Sequence, residues 1–122
     1  TLTYPHSGNT GTTGKDDEAR TVWPAGLIVR HVPRRPSNWR SELSLPEWLA
    51  AKGMVAIADI DTRRLTRLLR DRGAQNGALM AGDVDPARAL QAARTFPGLK
   101  GMDLAKEVCT RTPYEWRETE LD

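Results

Sequence analysis

Two carboxylates, Asp59 and Asp61, leave the end of an apolar run and are followed by five arginines, Arg63, Arg64, Arg67, Arg70 and Arg72. Aspartates at the carboxyl end of a buried strand stand where α/β proteins often place catalytic groups. Paired carboxylates can hold magnesium, which would make a metal-dependent phosphohydrolase, but such a site draws on further carboxylates or on a phosphate ligand. The local alternative is that Asp61 caps the following helix and Asp59 accepts backbone or arginine hydrogen bonds. The local alternative is the stronger, because no further ligands complete a metal shell.

The arginines cannot all share one side of a helix, but Arg63, Arg67 and Arg70 are neighbours at i, i+4 and i+7. A helix that reads nucleic acid is normally joined by other basic segments, exposed aromatics or base-reading Asn and Gln. These are missing around Arg63–Arg72. The row is therefore expected to be a solvated face or to meet acidic groups on another domain or subunit, where planar guanidinium forks suit carboxylates. A stand-alone basic binding module is the competing function class.

The remaining chemistry-bearing residues are weaker. Gly8-Asn-Thr-Gly-Thr-Thr-Gly14-Lys15 resembles a phosphate-cradling loop, but the first glycine position of that pattern holds Asn9 and the magnesium position holds Asp16. Cys109 has no nucleophile-elbow neighbours and no adjacent base. His6 and His31 are far apart in the sequence with no third ligand, so zinc is unsupported. Trp23, Trp39, Trp48 and Trp116 are expected as core or interface anchors.

The elements that must position these groups follow from pattern. Pro5 to Arg20 is polar and glycine-rich, an exposed loop. Gly26 to Arg30 reads as a strand. Ser44-Leu-Pro-Glu47 fits a capping box opening a helix that turns Trp48 and Leu49 inward and stops at Gly53. Met54 to Ala58 is continuously apolar, a strand expected to be covered on both faces. A helix then carries the stripe Leu65, Leu68, Leu69 and ends at Gly73 as a left-handed cap. Gly77 to Ala81 reads as another strand. Asp85-Pro86 opens a helix to about Thr95, and Asp103 a short one with Leu104 and Val108 inward.

At 122 residues the chain is one α/β or β/β/α domain by length and pattern. A single cysteine excludes an internal disulfide, and a net charge of +2 is too small to argue for nucleic acid. No apolar run reaches membrane-span length. A soluble cytoplasmic protein is expected, without membrane or nucleic-acid partner. The chain opens at Thr1 inside strand-like sequence, so preceding residues are expected to be missing.

Six blocks now stand in order: Thr3-x-Pro5-x-x-Gly8-Asn9-x-Gly11, Gly26-Leu-Ile-Val-Arg30, Ser37-Asn-Trp-Arg40, Ala58-Asp-Ile-Asp-Thr-Arg63 with Leu65-Thr-Arg67, Gly73-Ala-Gln-Asn-Gly77, and Pro97-Gly-Leu-Lys-Gly-Met-Asp-Leu104. Together they resemble the N-terminal domain of the small, glutamine-hydrolysing subunit of carbamoyl phosphate synthetase. The resemblance implies a swivelling β/β/α domain, truncated at its N-terminus, over residues 1–107. It implies that residues 108–122 lead toward an absent class I glutamine amidotransferase domain. In that family a Cys-His-Glu set in the amidotransferase domain releases ammonia from glutamine. The large subunit makes carbamoyl phosphate from it with ATP and magnesium, for pyrimidine and arginine synthesis. The implied role here is a non-catalytic scaffold with no catalytic, cofactor-binding or metal residues of its own, and Arg63, Arg67 and Arg70 as a possible interface. Cys109 matches no catalytic position of the family, and Thr12 to Trp23 is the least family-like stretch.

Overall fold

A computed structural model describes residues 1–19 and 21–117. Its centre is a parallel pair of short strands, β1 (Leu27–Ile28) and β2 (Ala56–Ile57), with Leu27 opposite Ala56 and Ile28 opposite Ile57. Their hydrogen bonding runs past the strand ends. Leu27 N donates to Val55 O, Val29 N to Ile57 O and Asp59 N to Arg30 O. The chain start lies along the other edge of β1, with Leu2 N donating to Ile28 O and Ser7 N to His31 O. Three extended segments thus run side by side, with β1 central.

Helix α1 (Leu45–Ala51) links the strands. Its start is a full capping box: Ser44 Oγ accepts from Glu47 N, and Glu47 Oε2 accepts from Ser44 N at 2.8 Å. Pro46 occupies the first turn, where its missing N–H costs nothing. These hydrogen bonds from Ser44 hold the Glu47 carboxyl below its ordinary value of 4.5. The carboxylate is therefore preferred in the folded state. Its contribution is complete above 4.5 and is lost as pH falls through the lowered folded value. Ser44→Ala should lower the melting temperature at neutral pH, with a smaller loss in acid where the wild type has already lost the box. Melts of both proteins across that range check it.

Helix α2 (Thr62–Arg72) is capped by Asp61, whose Oδ1 accepts from Arg64 N at 3.0 Å. It ends at Gly73, with φ 81 and ψ 179, a conformation open to glycine and not the left-handed helical one expected. Helix α3 (Pro86–Thr95) opens on Asp85 and Pro86 as the sequence indicates, and α4 (Leu104–Val108) on Asp103.

The buried apolar core is small. Among the described residues only Val29, 1% exposed, and Leu49, 6% exposed, are buried apolar side chains. A groove of about 350 Å³ runs between α1 and the sheet, lined by Leu27, Val29, Leu45, Leu49, Met54 and Ala58 among others. Just before β1, Leu79 lies against Gly26, where an added Cβ would meet Leu79 Cδ1 at 2.5 Å.

Three expectations are corrected. Ala56 and Ile57 are exposed, because the groove that they line beside α1 is open. Gly77 to Ala81 forms no ladder, since no neighbouring backbone pairs with it. Leu104 and Val108 are exposed, because a five-residue helix without a packing partner buries nothing. The architecture is mixed α/β: a two-stranded parallel sheet and four helices.

Candidate functional site

The carboxyl ends of the parallel segments bring together residues that the sequence keeps apart. His6 and His31 are bridge partners, with ring centroids 6.1 Å apart. Asp59, at the end of β2, places Oδ1 3.5 Å from His31 Nδ1. The sequence separation of the histidines hid this, because only strand pairing sets residues 25 positions apart side by side. Asp59 is also the one non-glycine among the described residues with positive φ, at 63. Its amide is held by Arg30 O while the chain turns toward α2, a conformation that aspartate tolerates better than most side chains.

The two aspartates do not form a pair. Asp61 is committed to capping α2, as the local reading holds. Asp59 faces a histidine and not the arginine expected. Among the described residues no group of three or more His, Cys, Asp or Glu is arranged to hold a metal ion. The donors present therefore do not fit magnesium with a bound phosphate.

The glycine-rich loop is likewise occupied from within. Gly14 N donates to Glu42 Oε2 at 2.9 Å, which puts a carboxylate where a phosphate would have to bind. That bond, with help from the Thr13 hydroxyl and from Lys15, holds the Glu42 carboxyl below its ordinary value. The loop is less exposed than expected, with Ser7 and Thr13 buried and Gly8, Gly11 and Thr12 half-buried, because it is tethered. Thr12 bridges Leu43, Arg40 pairs with Asp16 at 2.9 Å, and Lys52 pairs with Asp17 at 2.7 Å. These partners come from the segment before α1 and from its end, so no local sequence signal could reveal them.

Arg63, Arg64, Arg67, Arg70 and Arg72 are all exposed on α2. On the side away from Arg63, Arg67 and Arg70, Thr62 is buried and Leu65 and Leu69 are half-buried, which fixes the rotation of the helix. Leu68, the third member of the apolar stripe, is exposed. Arg70 Nε lies 3.7 Å from Asp71 Oδ1, and no other acidic group of the described residues pairs with these arginines. Cys109 is an exposed thiol at the end of α4. Of the tryptophans, Trp48 is half-buried with Lys52 Nζ 5.6 Å from its ring centroid. Trp23, Trp39 and Trp116 are exposed, Trp39 at 92%, so they are not core anchors of this chain.

The comparisons with known proteins are consistent along the chain. A sequence profile described as "Carbamoyl-phosphate synthase small chain, CPSase domain" matches residues 1–79. A carbamoyl phosphate synthase small chain from Xanthomonas axonopodis pv. citri is 72% identical over 122 residues, all of this chain and 31% of that protein. One from Xylella fastidiosa is 69% identical over 122 residues, covering 33% of its length. One from Pseudomonas aeruginosa is 65% identical over 120 residues, covering 98% of this chain and 32% of that protein. The chain thus spans about a third of the length of the curated relatives it matches. The profile match and these identities place the chain in the carbamoyl-phosphate synthase small chain family, with residues 1–79 matching its CPSase domain.

Proposed function

We propose that this chain is a non-catalytic scaffold region of the small, glutamine-hydrolysing subunit of a carbamoyl phosphate synthase, a ligase. Residues 1–107 act as the framework of a swivelling β/β/α domain, and 108–122 lead toward an amidotransferase domain. The framework holds that domain in place and docks on a larger partner subunit, supporting the delivery of ammonia from glutamine. ATP and magnesium act in the larger subunit.

The observation that carries this reading is family membership along the whole chain combined with the placement of Cys109. A nucleophilic thiol needs a base within hydrogen-bond reach and an electropositive, structured setting. Cys109 ends a five-residue helix, with an exposed side chain and no ionisable group among the described residues paired to it. No helix among the described residues is long and apolar enough to cross a membrane.

The test is glutamine-dependent ammonia release by the 122-residue chain. None is expected, even at high protein concentration, and Cys109→Ala should change nothing. Ammonia release that Cys109→Ala abolishes would overturn the scaffold reading.

A further inference from the structure

We infer that Arg63, Arg67 and Arg70 form a recognition row on α2 for a protein surface that presents Asp and Glu carboxylates. The inference rests on the subunit reading above and assigns the chemistry of one docking face. At 3.6 residues per turn these three side chains fall within an arc of roughly 60° and span roughly 10 Å of helix axis. Thr62, Leu65 and Leu69 face the body of the fold, so the arc points outward. Packing of the opposite face, and not charge, fixes the direction of the row.

The row lacks partners among the described residues. Arg63 and Arg67 have no ion pair with any described residue, and Arg70 has only the exposed 3.7 Å contact with its sequence neighbour Asp71. Three like charges within two turns repel one another, at a cost of a few tenths of a kcal/mol per pair at i, i+4 spacing. A facing set of carboxylates relieves that repulsion, and each guanidinium can engage one through two parallel N–H donors.

The surface of the molecule leaves room for such an interface. A closed monomer of 13.6 kDa exposes roughly 6,600 Å². This chain exposes 10699 Å². The excess, roughly 4,100 Å², is larger than one partner's half of the roughly 2,000–5,000 Å² that obligate assemblies bury in total.

A protein partner suits the row better than nucleic acid. The net charge of +2 supplies little of the extended positive field that polyanion binding uses.

The experiment uses the intact small chain and its larger partner chain, with affinity measured across a salt series. The triple variant Arg63→Gln, Arg67→Gln, Arg70→Gln removes the charge but keeps good helix formers. It should weaken association roughly tenfold or more and flatten the salt dependence. The single variant Arg67→Glu, which places a carboxylate mid-row, should weaken it in the same direction and serves if the triple variant loses helical signal. Unchanged affinity and salt slope in the folded variants overturn the inference while leaving the subunit reading intact. Failure of the wild-type small chain to associate at all overturns the subunit reading itself. Tight, steeply salt-dependent binding of wild type to a DNA duplex, lost in the triple variant, would reassign the row to nucleic acid.

Discussion

Unfolding of this chain by urea should show an m-value about 30% below that of a closed domain of the same length, because m scales with the surface newly exposed. An unfolded chain of 13.6 kDa exposes roughly 20,000 Å², and a closed fold would remove roughly 13,000 Å² of it. With 10699 Å² still exposed in the fold, only about 9,000 Å² is removed. The heat-capacity change should follow, near 1.1 kcal/mol/K instead of the roughly 1.6 expected at this length. The physical source is specific. β2 is paired on one edge only, the groove beside α1 is open, and Leu90, Leu104 and Val108 face solvent. Measurements at several protein concentrations separate the free chain from any self-association. An m-value and heat capacity at the full closed-domain level in the dilute limit would mean that the free chain buries faces that are open here.

Gly11→Ala should destabilise the chain by about 3 kcal/mol, the sum of two independent costs. Gly11 has φ +68, a left-handed conformation that a Cβ penalises by roughly 1–2 kcal/mol. The added Cβ would also stand 2.7 Å from Ser41 Cβ and 2.9 Å from Pro36 Cβ. Neither is the free end of a flexible side chain, so the Pro36–Ser41 segment must move. That movement strains Ser37 N to Asn9 O at 2.7 Å and the Thr12–Leu43 bridge, which tie the loop to the segment before α1. Gly8→Ala should act similarly, since φ is +86 and its Cβ would meet Leu45 Cβ at 2.6 Å. Gly77→Ala is the control. Gly77 has no positive φ and no atom near its Cβ position, so the change should be neutral or slightly stabilising. Thermal melts should place Gly11→Ala roughly 10 °C or more below wild type. A Gly11 variant that melts with the Gly77 control would show that the Gly8–Gly11 turn is not held as described.

The groups at the carboxyl ends of the parallel segments were only partly legible from sequence. Asp61 as a helix cap follows from its position before Thr62, because capping is local and depends on three residues of backbone. The proximity of His31 to Asp59 and to His6 does not, because it is made by pairing across the sheet. Glu42 filling the amide of Gly14 is the same kind of fact, a contact across 28 positions. The exposure of β2 defied an expectation that apolar runs lie between covered faces. Apolarity shows that a strand can be buried, but whether a neighbour lies beside it is a property of the assembled sheet.

What the sequence determined by itself is therefore local and familial. The Ser44 capping box, Asp61 and Asp85 as caps, Pro46 and Pro86 in first turns, and glycine stops at Gly53 and Gly73 place three of the four helices. The block Asp59-Ile-Asp-Thr-Arg63 with its neighbours names the family, which the relatives bear out. Tertiary structure alone decided which faces are covered and which residues meet. It tethered Asp16 and Asp17 by ion pairs, left three tryptophans in solvent, and turned one arginine row outward by packing Thr62, Leu65 and Leu69 inward. The reason is one of range. Caps and turns are settled by backbone groups within a few residues, whereas burial and pairing depend on segments whose separation in the chain carries no record of their distance in space.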